Sequence, residues 1–443
     1  MIHIPSSEIK QPEVHADTLG FTFIWNGHFL RGIFPESVDL AKSYFGSGFL
    51  DEIVSKGLFP KTWISDFENE QFGMIIEHEM ISPVLFASEW NSAMLKDAAL
   101  MVLDIAEVGF RYGYNMVDCH KKNVLFRNNK PIYVDLGSFV YNVKGCTGWK
   151  PYKSFLGSYY YILDVWTDGC SQIAKCLMAP CVMMSAIDYY LYKKPVWRFA
   201  KKLLSSKLKI AILINSFAIM GVDNPRCKSR IIGIAKFFIN GMLLGDSQRL
   251  ASLRKRVEKC KVVCPRISQS KVIELNLDIP QFESALIVNS RHPELTRAIS
   301  NLPGVKQTIS LIESDEGSSA EYSLLRGNCH NITDISYSFS VPLFVKGYFP
   351  DNRIKSDIVF VPGFTFDVTP LGIHNALERI KQYLHYSKLG KAVIIIQDKC
   401  MELINNLSIN YQVKVLENQG FASEWGGICL IVNEKQQKLR DNE

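Results

Sequence analysis

The chain has 443 residues, of which 47% are hydrophobic and 21% charged, with a formal net charge of +6. That length exceeds what one hydrophobic core organises and asks for two domains, while the apolar content excludes extended disorder. The small positive excess is compatible with anionic partners and selects none of them.

The opening "MIHIPSSEIKQPEVHAD" has no basic segment followed by an apolar one, so no signal peptide is expected. "FTFIWNGHFLRGIF" (21–34) predicts a hairpin, because Asn26-Gly27 between aromatic and β-branched runs favours a type I′ turn. Residues 35–57 predict two short helices broken near Gly46 and Gly48, and strands follow at 61–65 and 72–80. In 91–113 apolar residues recur at three- and four-residue steps, a long helix stopped by Gly113. Behind it "NVLFR" and "PIYVD" are short strands joined by "NNK".

From 150 to about 250 the pattern is helical and rich in aromatics. The most apolar run, 173–192, carries Lys175, Pro180 and Asp188; it predicts a buried core helix rather than a membrane span. Residues 189–222 hold seven Lys or Arg and no acid, interleaved with Tyr189, Tyr190, Tyr192, Trp197 and Phe199. The pattern suits a solvated basic helix face, or peripheral contact with anionic lipid or a lipid-linked glycan. No recognition motif accompanies it, so nucleic acid is not an expected partner. A charged connector follows at 261–275, and after it short β-rich runs alternate with helical ones, which implies a mostly parallel α/β sheet. The eleven cysteines are scattered without a CxxC pair. They predict no zinc site and fit a reducing, cytoplasmic compartment, while the inner membrane as a peripheral address rests on the basic region 189–222.

The candidate site lies behind the long helix. Asp118, His120 and Asn123 share one loop, and Asp135 ends the second strand of the hairpin that follows. A hairpin brings both strand ends together, so two carboxylates and an amide oxygen can converge on a hard cation such as Mg²⁺. A carboxylate not bound to metal can then deprotonate a hydroxyl, the division of labour that phosphoryl transfer needs.

Asp118-Cys-His120-Lys-Lys-Asn123 and Asp135-Leu-Gly137 resemble the D-x-H-x-x-N loop and metal motif of the aminoglycoside phosphotransferase and choline kinase branch of kinase-like proteins. The resemblance implies an α+β bilobal protein-kinase-like domain, with an N-lobe at 1–80 and a helical C-lobe at 81–260. It implies Asp118 as catalytic base, Asn123 and Asp135 as Mg²⁺ ligands, Arg31 on the ATP phosphates and Glu52 as the ion-pair partner of Arg31. Met116 stands where that family usually has His, and no Gly-rich phosphate loop is visible.

Residues 276–443 resemble a class I S-adenosylmethionine-dependent methyltransferase, an α/β Rossmann-like fold, in the order of their strands and helices. The resemblance implies that Glu313 or Asp315 accepts hydrogen bonds from a ribose and that Asp334 contacts an adenine. The turn after the first strand is Asn289-Ser290-Arg291-His292-Pro293, without the glycines such folds place there. Together the halves resemble bacterial proteins related to a nodulation host-specificity methyltransferase, associated with surface polysaccharide modification. The leading expectation is ATP- and Mg²⁺-dependent phosphoryl transfer to a hydroxyl of a glycan or small molecule. The alternatives are methyl transfer from S-adenosylmethionine, with the kinase-like half positioning the acceptor, and a non-catalytic scaffold.

Overall fold

In the computed structural model of the chain, Asn26 and Gly27 take φ values of 45° and 83°, the pair of left-handed residues that a type I′ turn requires. Behind a short β1 (Ile2–His3), they turn β2 (Gly20–Trp25) into β3 (His28–Ile33), as the sequence predicts. The structure describes residues 2–10, 17–142, 149, 151–179, 182–193, 246–262, 281–288, 293–312, 315–326, 329, 331–336, 354–364, 368–396, 400–416 and 428–434.

The chain divides into two compact units. The first comprises Met1–Ile81, Leu95–Leu125 and Pro131–Lys261; the second comprises Ser82–Met94, Phe126–Lys130 and Val262–Glu443. The sequence reading divides the chain at 80, 260 and 275, so the inclusion of 82–94 and 126–130 in the second unit is new. Its cause is local. Phe126 meets the rings of Trp90 and Tyr322 edge-on at 5.1 and 6.2 Å, and Asn91 donates to Ser318 at 2.9 Å.

In the first unit, β4 (Thr62–Ile64) and β6 (Met74–His78) complete an antiparallel sheet in the order β2-β3-β6-β4, while β5 (Phe67–Glu68) pairs with β1. Alternate residues of β2 turn Phe21 and Phe23 onto Phe72, giving this sheet an aromatic core. Gly20 is obligatory: at φ 148° a Cβ there would stand 1.8 Å from the Gly32 carbonyl oxygen. Then come α1 (Val38–Gly46), α2 (Phe49–Ser55) and the long α3 (Ser92–Arg111), whose apolar stripe is buried at Leu95, Ala98, Val102 and Ile105.

After α3, β7 (Tyr114–Met116) pairs antiparallel with β10 (Phe139–Tyr141). Between them β8 (Val124–Arg127) and β9 (Lys130–Tyr133) form a hairpin, turned by Asn128 and Asn129 at φ 51° and 57°. This nesting runs 117–123 and 134–138 past each other: Val117 N–H donates to Ser138 O at 2.8 Å, and Val134 N–H to Asn123 O at 2.9 Å. The sequence-predicted helix over 173–192 is corrected. After α4 (Tyr152–Phe155), a π-turn and α5 (Tyr161–Thr167), the chain forms α6 (Ser171–Leu177) and, separately, α7 (Ala186–Lys193). A proline cannot continue a helix, and Pro180 falls in the gap; Ile173 is 52% exposed. The first unit closes with α8 (Asp246–Lys259). Most of the basic aromatic region 189–222 lies outside the described residues. Among those described, no helix is long and apolar enough to cross a membrane.

The second unit is a Rossmann-like, doubly wound α/β fold. Its strands are β11 (Ser284–Val288), β12 (Gln307–Ile312), β13 (Ile332–Ser336), β14 (Ile358–Phe364), β15 (Lys391–Ile396), β16 (Tyr411–Leu416) and β17 (Ile428–Glu434). They lie in the order β13-β12-β11-β14-β15-β17-β16, parallel except for β17, which is antiparallel to both its neighbours. Helices α9 (Pro293–Ser300), α10 (Asp315–Leu325), α11 (Pro370–His385) and α12 (Met401–Asn410) connect them. Strands covered on both faces are apolar throughout, and all five residues of β11 are buried. Asp357 fixes where β11 and β14 start, accepting from the N–H groups of Glu283 and Ser284 at 2.8 and 2.9 Å.

Candidate functional site

The β7–β10 pair and the hairpin bring Asp118, Asn123 and Asp135 together, as their order in the sequence predicts. Asn123 Nδ2 donates to Asp118 Oδ2 and to Asp135 Oδ2, both at 3.2 Å. Asp118 Oδ1 also accepts from the His120 N–H at 2.9 Å, an Asx-type turn that shapes the loop. Beneath them the Tyr133 hydroxyl donates to the Asp118 carbonyl oxygen at 2.8 Å. Burial, and then the charge of Asp135, hold that phenol well above its ordinary pKa, so it stays a donor. Met116, in the slot where the resembled family has His, is buried in β7.

Arg31 reaches this cluster from the middle of β3. Its guanidinium is ion-paired to Asp17 and stands 3.4 Å from Asp135 Oδ1. Asp17 has no signal in the sequence, because it reaches the site by a loop rather than by periodicity. Its carboxylate lies so close over Gly137 that a Cβ there would stand 2.3 Å from it. The expected Arg31–Glu52 pair is corrected: Glu52 Oε1 takes Lys56 and Arg111 instead. Those contacts, the Lys56 bond first and then that of Tyr112, hold Glu52 down at about 2. Lys56 stands one helical turn from Glu52, which is the spacing that pairs side chains on a helix.

Both expected Mg²⁺ ligands are therefore occupied by the protein's own donors. A carboxylate offers about four lone-pair positions. In Asp135, Oδ1 accepts from the Gly137 N–H at 3.2 Å and faces Arg31, while Oδ2 accepts from Ser138 Oγ at 2.6 Å and from Asn123. Asn123 turns its amide nitrogen, not its oxygen, toward both acids. Among the described residues no group of three or more His, Cys, Asp or Glu forms a metal cluster. A Mg²⁺ ion held by Asn123 and Asp135 would displace these donors and turn the Asn123 amide over, exchanging its hydrogen bonds to the two acids for an oxygen ligand. Ser138, three residues past Asp135, was the legible sign of this closure.

The second unit offers a different place. In doubly wound sheets ligands bind outside the carboxyl ends of the strands where the strand order reverses, and here the order reverses between β11 and β14. β14 shifts register between Val361 and Phe364, close to that end, and such irregularities re-aim a strand where a site is built. Glu313 lies outside the described residues, and Asp315 is the first residue of α10. The expected Asp334–adenine contact is corrected: Asp334 is fully buried in the middle of β13, where its Oδ2 accepts from Asn129 at 2.6 Å. No local pattern warns of this, since Asn129 is 205 residues away.

No family model matches the chain, and no curated protein matches it. Solved structures with a similar fold include a Streptococcus pneumoniae protein described as a candidate tRNA (m1A22) methyltransferase. It is 16% identical, with 37% of this chain and 69% of that one covered at a TM-score of 0.27. The human methyltransferase 10 domain containing protein is 11% identical, covering 37% and 76% at a TM-score of 0.26. The N-terminal domain of human METTL16, solved in complex with SAH, is 12% identical, covering 34% and 62% at a TM-score of 0.26.

Proposed function

We propose that the protein transfers a methyl group from S-adenosylmethionine, and that the half resembling kinase-like proteins positions the acceptor. The observation that carries this reading is the seven-stranded sheet, with its reversal between β11 and β14 and its single antiparallel strand, β17. That is the order of elements expected of the methyltransferase class resembled by 276–443. When bound, S-adenosylmethionine supplies an electrophilic methyl group on a sulfonium sulfur. The crevice outside β11 and β14 is where it would lie, with Glu313 or Asp315 accepting from its ribose hydroxyls. Asp334 is left out of these contacts, because it is fully buried in β13 and its Oδ2 accepts from Asn129. The proposed acceptor is a hydroxyl of a glycan, a lipid-linked glycan or a small molecule.

Phosphoryl transfer is the weaker reading, since the Asp135 carboxylate is already filled by Gly137, Ser138, Asn123 and Arg31. Calorimetric titration separates the two. Binding of S-adenosylmethionine and of its demethylated product supports methyl transfer. Binding of ATP·Mg²⁺ with no response to either sulfur compound refutes it. A proposed peripheral membrane contact through 189–222 is tested by sedimentation with anionic vesicles, and sedimentation independent of anionic lipid argues against it.

A further inference from the structure

Two buried acids of the second unit take no part in the reading above. Asp334 in β13 is 0% exposed and Glu321 in α10 is 1% exposed. Ser310 and Asp334 are register partners on the parallel strands β12 and β13, so their side chains leave the same face about 5 Å apart. Glu321 reaches that row from α10, its Oε1 accepting from Ser310 Oγ at 2.6 Å. Each acid thus has one oxygen satisfied, Asp334 Oδ2 by Asn129 and Glu321 Oε1 by Ser310. The other oxygens, Glu321 Oε2 and Asp334 Oδ1, make no hydrogen bond; burial pushes the Glu321 pKa up by more than the buried Thr296 hydroxyl of α9 pulls it down. Two ionised carboxylates can only accept, so neither can satisfy the other. A proton on one of them turns it into a donor.

The pair sits under the hairpin tip. Asn129 is 1% exposed; besides donating to Asp334 Oδ2, its Oδ1 accepts from the Asp334 N–H at 2.8 Å. Its amide thereby takes the place of a neighbouring strand on β13, the edge of the sheet. Phe126 packs on Tyr322, the residue after Glu321. The charged surroundings do not relieve the pair. From α9, Glu294 adds repulsion on Glu321, and Arg297 acts on the Cys329 thiol beside Asp334. Arg326, after α10, stands 5.6 Å over the Tyr322 ring. On the tip itself Arg127 is half-buried and Lys130 exposed. Burial holds Glu321 at about 7, and burial followed by repulsion from Glu321 holds Asp334 well above the carboxylate range.

We propose that Glu321 and Asp334 share one proton, and that this proton latches the 126–130 tip to β13, so that the tip loosens as the pH rises. The seated state binds the proton more tightly than a released, hydrated one. Stability of the seat is therefore complete below the ordinary carboxylate range and falls as pH climbs toward the value near 7 at which the seated Glu321 ionises.

Hydrogen exchange of the full chain, corrected for intrinsic chemistry, tests this on peptides covering 126–130 and 332–336. From pH 5 to pH 7 tip opening should increase by roughly fortyfold, short of the limiting tenfold per pH unit for one proton because both ends of the interval lie near a pKa. Glu321→Gln, whose amide donates at every pH, should keep the tip protected and remove the dependence. Should that variant fail to fold, Asp334→Asn makes the same test from the other side. Opening that ignores pH in the wild-type chain, or a dependence that survives in a folded variant, overturns the latch. So does protection of the tip by added Na⁺ or Ca²⁺ at pH 8, which would mean that the pair holds a metal ion rather than a proton.

Discussion

Arg31→Met removes the only guanidinium that reaches Asp17 and Asp135 among the described residues, while keeping most of the side-chain volume. The Arg31 side chain is 7% exposed and those of Asp17 and Asp135 are 29% and 26% exposed. Opposite charges at such distances attract by roughly 4–5 kcal/mol at an effective dielectric constant of about 20, before desolvation is subtracted. Removing one partner of a fully buried pair costs about 3–5 kcal/mol, mostly through the charge left behind. Because both acids keep some water, about 2–4 kcal/mol is expected here. The two units need not unfold together, so a global midpoint would mix them. Denaturant-dependent hydrogen exchange on peptides from β2 and β3 reads the first unit alone. A double-mutant cycle with Asp17→Asn should then return a coupling of about 2 kcal/mol or more, because the second change removes the stranded charge. A loss below about 1 kcal/mol with no coupling would show that Arg31 and Asp17 are independent and that the site is open.

Asn123→Asp places a third carboxylate between Asp118 and Asp135; the variant should lose about 1–3 kcal/mol without metal and regain it in millimolar Mg²⁺, whereas the wild-type thermal midpoint should not respond to Mg²⁺. Gly20→Ala drives a Cβ to 1.8 Å from the Gly32 carbonyl at φ 148°; loss of the β2–β3 exchange protection is expected, and a native-like β3 would contradict the contact. Burial, and then the charge of Arg31, hold His78 at about 3 instead of 6.5. The unfolded chain therefore takes up a proton that the folded one refuses, so first-unit stability should fall by about 1.4 kcal/mol per pH unit as pH drops from 6.5 toward 3. His78→Phe, among the rings of Phe29 and Phe59, should flatten that slope, and an unchanged slope would assign it to other groups.

What the sequence disclosed was whatever depends on neighbours in the chain. The Asn26-Gly27 turn, the helix behind Ser92 and the strands of the second unit follow from periodicity and turn chemistry. The convergence of Asp118, Asn123 and Asp135 follows from one hairpin. Whether that cluster was a metal site or a closed hydrogen-bond network depended on Arg31 and Asp17, which arrive from a sheet and a loop far back in the chain. No local pattern records the arrival of Asp17, and Arg31 was expected here only through the resemblance to kinase-like proteins. The same holds for Asp334, which looked like a ligand contact at a strand end. It is instead bonded to Asn129, whose left-handed turn is a purely local feature of another segment. Glu52 failed for a simpler reason: Lys56, one helical turn away, was the nearer cation.

The most direct measurement is hydrogen exchange of the whole chain with and without S-adenosylmethionine. Added protection at the carboxyl ends of β11 and β14, around residues 286–288 and 361–364, is the result expected, since a ligand bound only to the native state slows local opening there. Exchange unchanged in those peptides, together with protection of the 117–138 loop by ATP·Mg²⁺, would contradict it and return the chemistry to Asp118 and Asp135.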